Sequence, residues 1–263
     1  MPATTALQLR RHFSAVLQKS PGQVIGLFGE AGVGKSHLLE TLLRETPCKH
    51  LKVDGGMSVA EMVKGLPRAA NLPAWAKSQL EQLQRAQTLA VQALGDTLAV
   101  TLSALAPFIL VFEDLHDATP ERLELILNLA NAIPRIRGVA LVASSRTVLP
   151  TPFHAYRLEA LERPEADALL EVQAKGALPP EAKDWVYVRA RGNALFTLEF
   201  WRYLLRLGAF WSDGERWQWR KPDDDFVPVS IEALILELLD SRISVQSRRV
   251  LEVKALLEQA EVL

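Results

Sequence analysis

The stretch Gly29–Ser36, which reads GEAGVGKS, decides how this chain folds. It fits the pattern G-x-x-x-x-G-K-[ST] at every fixed position. A short apolar segment, Val24–Phe28, precedes it, and Ser36–Arg44 follows with leucines at helical spacing. When a strand is followed by a glycine-rich loop and then a helix, the backbone N–H groups of the loop and the N-terminus of the helix can surround a phosphate. The sequence therefore predicts a phosphate-binding loop.

The residue types in this loop suit a nucleotide with a polyphosphate tail. Glycines allow the main chain to wrap closely around the phosphates. Lys35 supplies a positive charge at the β- and γ-phosphates, and Ser36 offers its hydroxyl to Mg²⁺. A simple glycine-rich turn before a helix has no need of this Lys-Ser pair. The predicted contacts to the nucleotide are Gly29, Glu30, Ala31, Gly32, Val33, Gly34, Lys35, Ser36 and His37.

Further apolar segments predict the rest of the fold. Helical stretches separate four more candidate strands, and continuous apolar strands alternating with helices indicate a parallel sheet covered on both faces. We therefore predict an α/β P-loop NTPase fold with a sheet of about five strands over residues 1–160. The additional strands are predicted at Leu51–Val53, Phe108–Phe112, Val139–Ala143 and Tyr156–Leu158.

Local signals mark several helices of this region. A helix is predicted over residues 7–18. Ser58 and Glu61 fit a capping box, and Thr119 with Pro120 fits an N-cap followed by the first helical residue. Residues 75–105 read as mostly helical, and Gly95 is expected to interrupt them.

After about residue 162 the pattern changes to consecutive helices. Residues 161–228 read as a helical lid or second domain, with a tryptophan-rich hairpin at 211–219 whose Asp213-Gly214 pair suits a tight turn. The hairpin tryptophans fit either packing against a helix, which is favoured, or a binding platform. Two more helical stretches are predicted at 231–240 and 248–258.

The composition limits the classes of function. The 263 residues include 30 basic and 31 acidic side chains, so the net charge is −1 and a basic nucleic-acid-binding surface is not evident. A single cysteine, Cys48, excludes an internal disulfide or a cysteine-based zinc site. The longest apolar run, residues 104–112, is about half of a membrane span. With no apolar signal core at the N-terminus, we expect a cytoplasmic protein without membrane association.

A second motif, FILVFEDLHD at Phe108–Asp117, ends a predicted strand with two acids. An acid beside a phosphate loop can hold Mg²⁺, and a second can polarise the attacking water. In the usual register Glu113 takes the metal position and Asp114 the base position. Both residues are candidate metal ligands and catalytic groups. The competing interpretation is that both are solvated acids at a strand end.

Cations and one histidine complete the candidate residues. Arg146 follows the strand Val139–Ala143, so it is a candidate sensor of the γ-phosphate, although a surface ion pair explains it nearly as well. His116 is expected to be an ordinary loop histidine rather than a water-orienting group. Arg189 and Arg191 could reach nucleotide or be solvated, and the sequence leaves both options open.

Three motifs together resemble the STAND-type signal-transduction P-loop ATPases, which are related to AAA+ proteins. They are GEAGVGKS at 29–36, LVFEDLHDAT at 110–119 and ARGNALFTLEF at 190–200. The nearest resemblance is to ATPase modules of bacterial LuxR-type regulators, adenylate cyclases and protein kinases, over roughly residues 20–257.

The resemblance implies a regulatory switch driven by ATP, ADP and Mg²⁺. It assigns an adenine contact to Gly192, Asn193 and Ala194, although Ala194 stands where the family has proline. Asp117 likewise replaces a usual tryptophan. The resemblance also implies that residues 229–263 begin a winged-helix segment. It implies that a protein partner or effector domain recognises the lid. A nucleotide-dependent oligomer is left open.

Two other kinds of P-loop enzyme and one non-enzyme compete with this interpretation. A phosphotransferase acting on a small molecule would share the loop, but it does not need paired acids at 113 and 114. A DNA-loading AAA+ ATPase subunit would need a basic surface, which the charge balance disfavours. A sensor that binds nucleotide without turnover also fits the motifs.

Overall fold

The first part of the chain is built around a parallel sheet. A computed structural model describes residues 3–54, 57–85, 87, 89–212, 214 and 216–222, and the chain divides into two compact units between Ala160 and Leu161. The strands of the first unit are β1 (Gln23–Phe28), β2 (Lys49–Val53), β3 (Phe108–Phe112), β4 (Val139–Ser145) and β5 (His154–Arg157). Their order is β2-β3-β4-β1-β5, and every neighbouring pair is parallel.

The alternation of side chains along β3 divides the core of this unit in two. Phe108, Leu110 and Phe112 belong to one apolar cluster. Ile109 and Val111 belong to the other, because successive side chains of a strand point to opposite faces of the sheet. All residues of β3 and β4 are buried. The predicted α/β fold, with a five-stranded parallel sheet covered on both faces, is confirmed.

Helices pack on both faces of the sheet. Within the described part of the first unit they are α1 (Ala3–Leu17), α2 (Lys35–Glu45), α3 (Val59–Gly65), α4 (Ala74–Gln84), α5 (Val91–Leu105) and α6 (Pro120–Ala132), with short 3-10 turns at Leu115–Asp117 and Ile133–Arg135. Helices α1 and α2 supply the cluster on one face, and α3 to α6 supply the other. Among the described residues, no helix is both long and apolar enough to cross a membrane.

The predicted helix caps are confirmed, whereas the predicted break at Gly95 is wrong. Ser58 Oγ accepts from the Glu61 N–H at 3.2 Å, and the Ser58 N–H donates to Glu61 Oε2 at 2.8 Å. Thr119 caps α6. Gly95 is buried inside α5, and a Cβ there would lie 3.6 Å from Asn128 of α6. This packing outweighs the low helix propensity of glycine, and the interruption falls between α4 and α5 instead.

The second unit contains three helices and a hairpin in its described part. They are α7 (Arg163–Ala174), α8 (Pro180–Ala190), α9 (Ala194–Arg206), and the antiparallel strands β6 (Phe210–Ser212) and β7 (Trp217–Trp219). The Trp217 indole N–H donates to the Ala174 carbonyl at 3.1 Å, and Trp219 packs 6.0 Å from Trp185. These contacts support the packing interpretation of the two tryptophans.

Part of the sequence interpretation lies outside the described residues. This applies to the helical stretches predicted at 231–240 and 248–258 and to Asp213 of the hairpin turn. The lid role of residues 161–228 and the winged-helix character of residues 229–263 stay predictions.

Candidate functional site

The loop between β1 and α2 lies at the carboxyl end of a central strand. In open parallel sheets the ligand crevice is at this edge. Gly32 and Gly34 have φ angles of +76° and +105°, a region that side-chain-bearing residues rarely adopt. Gly34 is also the N-cap of α2 and offers no capping side chain. The first N–H groups of this helix therefore have no side-chain cap.

Gly29 allows the closest approach of two backbone segments in the loop. A Cβ on Gly29 would lie 2.3 Å from the carbonyl oxygen of Leu158, which follows β5. The Gly29 N–H donates to the Ser145 carbonyl at 3.3 Å, and the Leu158 N–H donates to the Phe28 carbonyl at 2.7 Å. The segment after β5 therefore forms a wall of the loop, and only glycine fits at position 29.

Lys35 is the first residue of α2 and is 7% exposed. Its ammonium donates to the carbonyl oxygens of Gly29 and Glu30 at 2.8 and 2.9 Å. Burial lowers the pKa of Lys35, the negative charge of Asp114 opposes this shift, and Arg146 adds to it. A lysine ammonium has three N–H donors. Two of them make these bonds, so the third N–H of Lys35 can donate to a ligand. Ser36 and His37, next in sequence, are exposed.

Glu113 continues β3 by one residue, since its N–H donates to the Val53 carbonyl at 2.9 Å. By the alternation of the strand, its side chain falls on the face covered by α1 and α2. Lys52 Nζ lies 2.9 Å from Glu113 Oε2 and 3.0 Å from Glu40 Oε1 of α2. Glu113 Oε1 is buried and has no hydrogen-bond partner among the described residues. This oxygen keeps its lone pairs available to a ligand.

Asp114 begins the turn after β3 in a left-handed conformation, with φ 51° and ψ 49°. Its N–H donates to Ser144 Oγ of β4 at 3.1 Å, and its side chain is 55% exposed. The charge of Asp114 acts on both Lys35 and His116, as does the charge of Arg146. The structure thus brings the phosphate loop, the acid after β3 and the arginine after β4 into one electrostatic cluster.

The arrangement has the donors that Mg²⁺ prefers. Among the described residues, no group of three or more His, Cys, Asp or Glu side chains could hold a metal ion. Mg²⁺ does not need one, because it keeps several waters and is usually held by one or two carboxylates together with substrate phosphates. The Ser36 hydroxyl, the unpartnered oxygen of Glu113 and the exposed carboxylate of Asp114 fit that requirement.

The predicted adenine contact, Gly192–Ala194, forms the turn between α8 and α9 in the second unit. Gly192 has φ +75°, and a Cβ there would lie 2.2 Å from the Leu161 carbonyl. Asn193 is the N-cap of α9, and its Oδ1 accepts from the two N–H groups at 195 and 196, at 3.1 and 3.2 Å. These residues have a clear structural role, and their contact with adenine stays a prediction.

The two arginines left open by the sequence lie near this turn. The Arg189 guanidinium stacks 3.9 Å from the Trp185 ring centroid. Arg191 ends α8 in a left-handed conformation with φ 47°, and its N–H donates to the Tyr187 carbonyl at 2.8 Å. Arg189 therefore covers an aromatic face of its own unit.

Sequence reasoning missed two cations beside the site. Lys52 pairs with Glu113 across neighbouring strands, and no local motif signals such a pair. Arg122 of α6 donates to the Met57 carbonyl at 2.9 Å and to the Asp54 carbonyl, which fastens the segment after β2. Arg122 is the third residue of α6, and nothing in the local sequence indicates that it contacts the segment after β2.

Comparison with known proteins identifies the type of domain. The family model described as "AAA ATPase domain" matches residues 5–142, just over half of the chain. This match confirms the sequence resemblance at the level of an AAA-type ATPase domain. No curated protein matches the chain.

Several solved structures have a similar fold. The Aeropyrum pernix ORC1 protein in complex with DNA has a TM-score of 0.56 at 16% identity, over 78% of this chain and 60% of that one. A Walker-type ATPase of Pyrococcus abyssi has a TM-score of 0.53 at 16% identity, over 76% and 67% of the two chains. A STAND protein with a tetratricopeptide repeat sensor from Pyrococcus horikoshii has a TM-score of 0.52 at 16% identity, over 88% and 32%.

These likenesses show a shared fold at low identity. The chain spans 60% of the length of the Aeropyrum protein and about a third of the Pyrococcus horikoshii protein. The glycine-rich loop, the acids after β3 and the family match agree with one another, and the chain belongs to the AAA ATPase domain family.

Proposed function

We propose that this chain is an ATP-binding switch module of a signal-transduction or transcription regulator, and that it hydrolyses ATP slowly with Mg²⁺. The observation that carries the proposal is the phosphate loop itself. Left-handed glycines at 32 and 34 precede a helix whose first residue, Lys35, is buried beside the charge of Asp114.

In this proposal backbone amides of the loop after Gly29 and the Lys35 ammonium bind the β- and γ-phosphates. The two carbonyl bonds that Lys35 makes in the loop are exchanged for phosphate oxygens, which are stronger acceptors for a cation. Ser36 and His37 lie at the exposed start of α2, where the helix dipole favours an anion. Arg146 adds a second positive charge at the γ-phosphate.

The two acids after β3 have different roles in this proposal. When bound, Mg²⁺ would supply positive charge that neutralises the phosphates. Ser36 and Glu113 would hold it, and Asp114 would accept a hydrogen bond from the attacking water and orient it. Glu113 is tied to Lys52 and Asp114 is more than half exposed. The exposed Asp114 carboxylate, which would orient the water, is not held in one position for catalysis, and this supports slow turnover.

The switch requires a difference in contacts between the ATP and ADP states. Lys35 and Arg146 supply that difference at the γ-phosphate, and the second unit is the proposed lid. A protein partner or effector domain then reads the second unit.

Nucleotide titration of the full chain tests the proposal. We expect ATP and ADP to bind with Mg²⁺, and Lys35→Met to weaken ATP binding at least tenfold, which is about 1.4 kcal/mol. Methionine keeps most of the buried volume, and the exposed Lys49→Met serves as the matched control. Slow phosphate release should fall further in Asp114→Asn. Unchanged ATP affinity in the folded Lys35→Met variant would refute the site, and faster transfer of phosphate to an acceptor than to water would refute the switch.

A further inference from the structure

His116 lies in the 3-10 turn that follows Asp114, and its side chain is only 12% exposed. Both ring nitrogens are buried, and neither has a hydrogen-bond partner among the described residues. Buried polar groups are nearly always hydrogen-bonded, because an unpartnered one destabilises the state that contains it. A conformation of this turn in which a His116 ring nitrogen gains a hydrogen bond would therefore be more favourable.

Two carboxylates lie just beyond hydrogen-bonding distance of this ring. Nδ1 is 4.0 Å from Asp114 Oδ1, and Nε2 is 3.5 Å from Asp117 Oδ2. A neutral imidazole carries one N–H, so His116 can donate to only one of the two carboxylates at a time. The two tautomers correspond to two alternatives, one bonded to Asp114 and one bonded to Asp117.

The backbone of the turn supports a choice between these alternatives. Asp114 holds a left-handed conformation that is uncommon outside glycine. Its N–H is fastened to Ser144 of β4, whereas its carboxylate is largely exposed. A small movement of the ring is enough to close the distance from Nδ1 to that carboxylate.

We propose that His116 is a positioning residue for Asp114, and that nucleotide binding draws the His116 Nδ1–H into a hydrogen bond with Asp114 Oδ1. This inference rests on the proposed function of Asp114 in orienting water. Donation from Nε2 to Asp117 is the competing state, and it leaves the Asp114 carboxylate unfixed.

Steady-state kinetics of matched variants test this role. We expect His116→Leu to lower kcat at least tenfold, with KM for ATP within twofold of the wild type. Its melting temperature should not fall, because the substitution removes two unpartnered nitrogens. His116→Asn places an amide N–H near the position of Nδ1 and should recover part of kcat, whereas His116→Gln, which reaches toward Nε2, should not.

Asp117→Asn is the control for the competing state and should leave kcat unchanged or higher. The inference is overturned if His116→Leu keeps the wild-type kcat. It is equally overturned if kcat, KM and melting temperature worsen together, which is the pattern of a purely structural histidine.

Nitrogen NMR of the imidazole ring gives a readout that does not need turnover. The His116 signals, assigned by their loss in His116→Gln, should shift toward the Nδ1–H tautomer when Mg-ATP or a non-hydrolysable analogue is added to the full chain. Unchanged signals in a nucleotide-saturated sample would overturn the inference. A chain that binds ATP without releasing phosphate would refute only the hydrolytic part of the proposed function, and one that binds no nucleotide would refute both.

Discussion

Replacing Lys52 by methionine removes the cation that holds Glu113. Lys52 Nζ lies 2.9 Å from Glu113 Oε2 and 3.0 Å from Glu40 Oε1. Burial opposes the charge of Lys52, but hydrogen bonds to Glu113 and Glu40 outweigh burial and raise the pKa of Lys52. The lysine is therefore a firm cationic partner, and its loss leaves Glu113 with neither carboxylate oxygen paired among the described residues.

The size of the effect follows from the burial of the two side chains. Removing one partner of a fully buried ion pair costs about 3–5 kcal/mol, whereas an exposed pair contributes about 0–1 kcal/mol. Glu113 is 15% and Lys52 31% exposed, so we expect Lys52→Met to cost about 2–3 kcal/mol of unfolding free energy. Glu113→Gln should cost less, about 1 kcal/mol, because Lys52 keeps Glu40 as a partner.

Hydrogen exchange of the β3 and β4 amides, followed by mass spectrometry in the nucleotide-free chain, measures this cost within the first unit. Lys49→Met is the matched control, because Lys49 is an exposed lysine on the same strand, and it should change stability by less than about 0.5 kcal/mol. The reasoning fails if Lys52→Met behaves like this control, or if Glu113→Gln costs as much as Lys52→Met.

Three further measurements test the backbone and the pH dependence. Gly34→Ala, at φ +105°, should lose about 1 kcal/mol or more, whereas Gly95→Ala inside α5 should gain about 0.5–1 kcal/mol; equal melting temperatures would contradict both expectations. Asn193→Ala removes the N-cap of α9 and should cost about 1–2 kcal/mol in urea denaturation, so a negligible cost would show that the cap is dispensable. Burial lowers the pKa of His116 below the ordinary 6.5, so the unfolded chain takes up this proton first. Stability should fall as pH drops below 6.5, and a His116→Gln variant with the same pH profile would refute this origin.

The sequence was sufficient to predict the elements whose signal is local. The strands β1 and β3 and the phosphate loop follow from short apolar runs and glycine spacing. The cap of α6 at Thr119 follows from hydrogen-bonding chemistry within three residues. Each of these depends on neighbours in sequence, so no knowledge of the tertiary structure is needed.

Features that depend on packing between distant segments could not be predicted in this way. Gly95 was expected to break a helix, but in the folded chain it is buried within a continuous α5 that packs against α6. The pairing of Lys52 with Glu113 arises only because β2 and β3 are neighbours in the sheet. The charges of Lys35 and Arg146, which lie far from His116 in sequence, likewise act on it only in the folded chain.

The wall that Leu158 forms against Gly29 has a mechanical consequence. Leu158 stands two residues before the end of the first unit at Ala160, and two residues of extended chain reach at most about 7 Å. A movement of the Gly29 backbone would act directly on Leu158, because the two backbones already lie too close for a Cβ between them. The end of the first unit is therefore held against the glycine-rich loop by direct backbone contact.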